Sequence, residues 1–173
     1  MFDFFKRNKH KESQEETSYD DSIQELYAIS DGEMVKLEDV SDPMFQEKML
    51  GDGYALKASQ GEVYAPINGE IKTIFPTEHG MGITTESGLE FLIHLGFDTV
   101  ELEGKPFEHQ VHEGQVIAQG DLLTKVDLEA IREAGKDDTF VVICTNMQDV
   151  DNLTITAQGQ VKHDDVVGQI SAG

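Results

Sequence analysis

The 173-residue sequence predicts an all-β domain: a compact antiparallel β-sandwich or barrel of many short strands with one or two short helices. Three observations point there. The apolar segments from residue 23 onward are short, and Gly, Asn and Asp separate them, as between strands. One such break, Asn68-Gly69, is the dipeptide that a type I′ hairpin turn selects, because both central residues need positive φ. No segment repeats at a fixed period or carries heptads, which leaves a sandwich or barrel as the way to close so many short strands.

Taken in order, residues 1–22 precede this pattern. Met1–Lys11 carries Lys6, Arg7, Lys9 and Lys11 beside Phe2, Phe4 and Phe5, a small basic-aromatic tip. Glu12–Asp21 is polar without periodicity and reads as a linker or disordered tail. The predicted domain spans 23–173. Asp42 with Pro43 at a first helical position starts a short turn through Met49. Glu62–Ile67 and Glu70–Phe75 form the expected hairpin about Asn68-Gly69, with Pro66 where a missing donor is tolerable. Further strands are expected at 82–86, 89–95, 115–118, 122–126, 140–145, 153–158 and 167–170. Between them Asp127 can cap a helix over Leu128–Ala134, and Gly135 can end it.

Lys and Arg number 13 against 34 Asp and Glu, a net charge of −21. Such a chain repels phosphate backbones, so a nucleic-acid partner is excluded. The longest clean apolar run is Phe140–Cys144, far short of the roughly 20 residues a membrane helix needs. A single Cys allows no intrachain disulfide, and no signal-peptide pattern opens the sequence, so a reducing, cytoplasmic setting is expected. Small molecules or basic proteins are the partners that suit the charge.

Six histidines are candidates for chemistry. His10 lies in the tail, and His109, His112 and His163 sit among polar residues and read as solvated loop histidines. His94 differs, because a titratable ring interrupts the apolar strand Leu89–Leu95. Strand alternation puts Leu92, His94 and Gly96 on one face, and glycine leaves room beside the ring. A core histidine satisfied by a carbonyl is the competing reading. His79 lies in a loop with Gly80 and Gly82 as small neighbours. Two nearby imidazoles support either a nucleophile paired with a group that stabilises negative charge, or a metal site. The residues alone leave both open.

Gly88-Leu89-Glu90-Phe91-Leu92-Ile93-His94-Leu95-Gly96-Phe97-Asp98-Thr99-Val100 resembles the phosphorylation-site signature of the glucose-type enzyme IIA domain of the bacterial sugar phosphotransferase system. The pattern is Gly, a hydrophobic triplet, His, hydrophobic, Gly, hydrophobic, any residue, Thr, aliphatic, and every position is filled. Other segments resemble the same family in the same order: Gly32-Glu33, Leu37–Val40, Phe45, Gly51-Asp52-Gly53, Ala65-Pro66 with Gly69, Ile74-Phe75 with Thr77 and His79, and Asn146-Met147. Together they cover about residues 25 to 170.

The resemblance implies a phosphocarrier. His94 would accept a phosphoryl group through Nε2 from the phosphohistidine of the small carrier protein HPr, then pass it to a cysteine of a sugar-specific enzyme IIB. His79 would be the second active-site histidine, with Thr77 orienting its ring, and the Gly96 carbonyl would fix the Nδ1 proton of His94. Partners would dock on an apolar ring of Met44, Phe45, Met49, Leu50, Phe75, Met81, Leu92 and Val100, with Asp42 and Asp98 as acids. Methionine adapts to differing surfaces, so an altered partner choice is expected from this Met-rich ring. The same family also acts as a regulatory binding module on transporters and enzymes through its phosphorylation state. No cofactor is implied. Zinc on His79 and His94 is expected only where a complex or crystal contact completes the coordination, and no metal in the free protein. Cys144 would be an inert strand residue. No enzyme IIB or membrane segment accompanies the domain, which suggests a stand-alone IIA or a piece of a longer protein. The basic-aromatic tip resembles, weakly, an amphipathic amino-terminal helix of a related IIA group, which implies weak contact with a membrane surface. Two alternatives compete. A zinc metallohydrolase on a related small barrel needs a His-x-His pair, and a swinging-arm domain needs a hairpin-tip Lys; neither pattern is present.

Overall fold

The computed structural model describes residues 23–173. The basic-aromatic tip, its expected membrane contact and the tail boundary fall on residues 1–22, outside the described residues. Fourteen strands are described, in chain order β1 Ile23–Tyr27, β2 Gly32–Val35, β3 Asp52–Ala58, β4 Glu62–Tyr64, β5 Gly69–Ile74, β6 Gly80–Thr84, β7 Glu90–Phe97, β8 Phe107–His109, β9 Val116–Ile117, β10 Leu122–Val126, β11 Asp137–Cys144, β12 Val150–Ile155, β13 Gly159–Val161 and β14 Val166–Ala172. They pair antiparallel in three sheets: an eight-stranded sheet ordered β13-β2-β3-β11-β7-β6-β5-β9, and two three-stranded sheets, β1-β14-β12 and β4-β10-β8.

The alternation of apolar residues places the core. Strand β11 lies between β3 and β7 and is apolar on both faces. Phe140, Val142 and Cys144 point into the main core with Leu56, Ile93 and Leu95. Val141 and Ile143 point the other way, into a smaller cluster with Leu37, Val40, Phe45, Ala55 and Phe97. A single helical turn, α1 (Pro43–Gln46), supplies Phe45 to that second cluster. Asp42 caps α1 by accepting from Met44 N–H at 2.9 Å, and Pro43 sits at the first helical position, where no donor is needed. The expected turn thus forms, although it stops at Gln46 rather than Met49. Helix α2 (Leu128–Glu133) is capped by Asp127, which accepts from Ala130 N–H at 3.0 Å. Among the described residues, no helix is long and apolar enough to cross a membrane.

The hairpin about Asn68-Gly69 does not form. β4 pairs with β10, while β5 pairs with β6 and β9. Neither Asn68 nor Gly69 has positive φ. Asn68 Oδ1 instead accepts from Gln119 N–H at 2.7 Å, and a Cβ on Gly69 would lie 2.7 Å from both Ile83 Cγ2 and Thr84 O. The dipeptide serves a crossover between sheets, where asparagine ties a loop and glycine admits a neighbouring strand.

Candidate phosphoryl-transfer site

Strand register brings the two central histidines together. On β7, His94 stands opposite Gly80 of β6 and Val141 of β11. The turn between β5 and β6 carries Thr77, Glu78 and His79 beside it, and His79 C=O accepts from Leu95 N–H at 2.8 Å. The two rings meet edge to face with centroids 4.9 Å apart. Thr77 Oγ1 lies 2.7 Å from His79 Nδ1, so the hydroxyl fixes that ring. The small residues opposite the strand are part of the geometry, since a Cβ on Gly80 would lie 2.8 Å from the Phe75 ring.

The walls are aromatic. Phe45 packs edge-on to His94 at 5.0 Å, Phe97 lies tilted against His94 at 5.9 Å, and Phe75 packs edge-on to His79 at 5.3 Å. Phe97 is a site residue that the sequence pattern does not reveal. Strict alternation would put it on the core face with Leu95. However, Gly96 takes φ +85°, and the β7–β11 register slips between Leu95 and Phe97. This bulge turns Phe97 onto the His94 face, as bulges re-aim side chains. A Cβ on Gly96 would lie 2.6 Å from Thr99 Cγ2 and 2.8 Å from Asp137 O. Buried Thr99 in turn donates to Leu95 C=O at 2.7 Å and so holds the strand end behind His94.

Burial dominates the electrostatics. It pushes the His94 pKa from 6.5 to about 4, with neighbouring His79 lowering it further; the Gly96 backbone and the Asp42 charge oppose the shift. Burial also lowers the pKa of His79. Both imidazoles are therefore neutral at physiological pH. Nδ1 of His94 is fully buried and reaches no acceptor with hydrogen-bond geometry. The Gly96 bond to Nδ1 implied by the resemblance is not closed in this structure, although the Gly96 backbone is near enough to favour the protonated ring.

The expected docking ring divides into two groups. Met44, Met49, Leu50 and Val100 are exposed apolar side chains, and Asp98 is exposed. Phe75, Leu92 and Asp42 are half-buried at the edge of the site. Two members are corrected. Met81 is fully buried, because the register that puts Gly80 and Gly82 on the His94 face puts Met81 on the core face, opposite Ile93. Phe45 is 3% exposed and forms the floor beneath His94 rather than a surface. The ring is thus less methionine-rich than the sequence suggests.

For a metal, His79 and His94 offer two nitrogen donors, and a tetrahedral zinc would need further ligands from outside. Among the described residues, no three His, Cys, Asp or Glu side chains converge as a metal cluster. Cys144 is buried, its thiol pKa is raised by burial, and Sγ–H donates to Asn146 Oδ1 at 3.3 Å.

Residues 24–150 match the family described as the phosphoenolpyruvate-dependent sugar phosphotransferase system, EIIA 1. The chain belongs to that family. It is therefore a phosphotransferase component, a phosphocarrier of the sugar phosphotransferase system. It is similar to the PTS system glucose-specific EIICBA component of Streptococcus pneumoniae serotype 4, 44% identical over 160 residues, which are 92% of this chain and 22% of that protein. The chain thus spans about a fifth of that curated relative. Among solved structures it resembles the glucose permease IIA from Mycoplasma capricolum, with a TM-score of 0.80, 39% identity, and coverage of 85% of this chain and 95% of that one. The EIIA 1 chain shares the antiparallel sandwich of that structure.

Proposed function

We propose that His94 accepts a phosphoryl group from phospho-HPr and donates it to a cysteine of a sugar-specific enzyme IIB in the cytoplasm. The observation that carries this reading is the pair of neutral imidazoles in edge-to-face contact, one of them held by Thr77. A neutral His94 keeps a lone pair for attack, and burial of Nδ1 leaves Nε2 as the attacking atom. In the first transfer the Nε2–P bond forms as the P–N bond to the HPr imidazole breaks, and the electron pair returns to that imidazole. In the second, a thiolate attacks phosphorus and the Nε2–P bond breaks. With Thr77 Oγ1–H donating to Nδ1 of His79, the neutral ring carries its proton on Nε2, and that N–H donates to a phosphoryl oxygen as charge develops. The exposed Met44, Met49, Leu50 and Val100 suit docking of an apolar partner face, and the acidic body suits a basic one.

Glucose is the sugar named for the streptococcal relative, and a glucose-type permease is the proposed destination here. Regulation of transporters or enzymes by the unphosphorylated form is compatible with the same surface. Zinc on the two histidines is proposed only for complexes that supply the remaining ligands. The deciding experiment incubates the full chain with enzyme I, HPr and phosphoenolpyruvate and measures its mass. Wild type gains one phosphoryl group and His94→Ala gains none. A phosphorylated His94→Ala protein overturns the assignment.

A further inference from the structure

The chain has sixteen glycines, and one of them has no reason within the fold. Eight take positive φ, a conformation that side chains rarely adopt. At six others a Cβ would lie less than 3.0 Å from another part of the chain. Gly173 lies beyond the last strand. Gly82 remains. It sits inside β6 without positive φ. Among the described residues, a Cβ there would meet only Phe91 O and Thr73 Cβ, both at an ordinary contact distance of 3.8 Å. Glycine weakens a strand interior, because it packs no side chain and loses the most backbone freedom on folding. Its presence in β6 therefore calls for a cause outside the packing of this domain.

Gly82 lies on the face of the sheet that carries the nucleophile. It pairs with Leu92 of β7, as Gly80 pairs with His94, so by strand rise it stands roughly 7 Å along the sheet from His94. The two glycines differ in what covers them. The Phe75 ring lies over Gly80, which is buried, and a Cβ there would come within 2.8 Å of it. Among the described residues no side chain lies over Gly82. It is half-buried between Leu92 on one side and its β5 partner, exposed Thr73, on the other. Backbone forms the floor of a notch that opens to solvent beside the two histidines.

We propose that Gly82 is a specificity-determining residue of phosphoryl exchange: the notch it leaves between Thr73 and Leu92 receives an aliphatic side chain of the protein docked over His94. The proposal rests on the phosphocarrier reading of His94. A specific interface buries about 800 Å² on each partner, so a protein that brings phosphorus onto His94 Nε2 also covers Gly82. Close approach of another chain is a recurrent reason for glycine inside a strand. The positions around the notch are Leu92, Thr73 and the Phe75 ring over Gly80, and none carries charge, which suits an aliphatic occupant. Donor and acceptor share the notch, because both must reach the same nitrogen. A side chain at position 82 would exclude such partners by a clash.

Gly82→Val is the decisive variant, since it fills the notch with a β-branched side chain that strands favour; Gly82→Ala fills it in part. Thermal stability is expected to hold or rise in both. The KM for phospho-HPr should rise at least about tenfold in Gly82→Val and less in Gly82→Ala, because a single methylene misfit in an apolar pocket is worth about tenfold or more. The kcat should change little, since His94 and His79 are untouched. Calorimetry with unphosphorylated HPr should show the same loss of affinity, and the KM for enzyme IIB should rise in parallel. A Gly82→Val protein with wild-type stability and a wild-type KM in either half-reaction overturns the proposal. So does a variant whose stability and kcat fall together while KM holds, because that is a defect of the fold. If Gly82→Val does not fold, Gly82→Ala, for which the structure leaves 3.8 Å, decides it by the same criteria. A wild-type chain that phospho-HPr leaves unmodified overturns the phosphocarrier reading and the notch with it. A phosphorylated wild type beside an unaffected Gly82→Val overturns the notch alone.

Discussion

Acidification should unfold this domain partly through His94. The perturbation is a fall in pH from about 7.5 to 4.5, compared between wild type and His94→Gln. Burial sets the folded pKa of His94 at about 4 against an ordinary value of 6.5. Because the folded value is the lower one, the unfolded chain binds the proton first as pH falls. The contribution to stability is fully present above about pH 6.5 and is lost between 6.5 and 4. Linkage allows about 1.4 kcal/mol per pH unit in that window, or about 3 kcal/mol in all. Part of the ring still meets solvent, and screening trims the figure to about 2 kcal/mol. His79 and His109 are shifted in the same direction, but they are common to both proteins and largely cancel in the comparison. The assay is urea unfolding at several pH values. The advantage of wild type over His94→Gln should shrink by about 2 kcal/mol across the window, while a ring-proton NMR titration places the His94 midpoint well below 6. A gap that stays constant with pH, or a His94 midpoint near 6.5, refutes the argument from burial.

Other perturbations separate the roles of neighbouring residues. His79→Gln should accept from phospho-HPr at close to the wild-type rate but lose at least about tenfold in transfer to enzyme IIB; rapid-quench measurement of the two half-reactions tests it, and equal losses contradict it. Gly96→Ala should lose about 2–3 kcal/mol in chemical denaturation, because it forces a side chain into a positive-φ position and against Thr99 and the Asp137 carbonyl. Met44→Asp and Phe45→Asp should part company. Exposed Met44 can take the charge with its melting temperature held, while affinity for HPr, read by calorimetry, falls several-fold. Phe45→Asp buries a charge beneath His94 and should cost about 3–5 kcal/mol of stability.

These contrasts also show where sequence reasoning reached its limit. The all-β class was legible because short alternating runs suit strands and little else. Both helical caps, Asp42 and Asp127, were legible because a cap is a local hydrogen bond within a few residues. Strand β7 was legible as the carrier of His94 with Leu92 on its face, since alternation is exact until something interrupts it. The interruptions are where the reading failed. Asn68-Gly69 has the composition of a hairpin turn, but the crossing strand that packs on Gly69 is β6, whose identity no local pattern specifies. Met81 joins the docking ring only by resemblance; the register that pairs it with Ile93 turns it into the core, because the two faces of a strand exchange at every residue. His109 looked solvated because its neighbours in sequence are polar, while the structure buries both ring nitrogens and sets Thr124 across the ladder from it. Phe97 was lost for a further reason. The positive φ that re-aims it belongs to Gly96, yet from sequence that glycine is explained equally well by room beside the imidazole. One glycine therefore does two things at once: it clears the His94 face and it turns the next aromatic onto that face. The strand that presents His94 is bent by the residue that gives it space, so the aromatic wall and the nucleophile are set by the same local geometry.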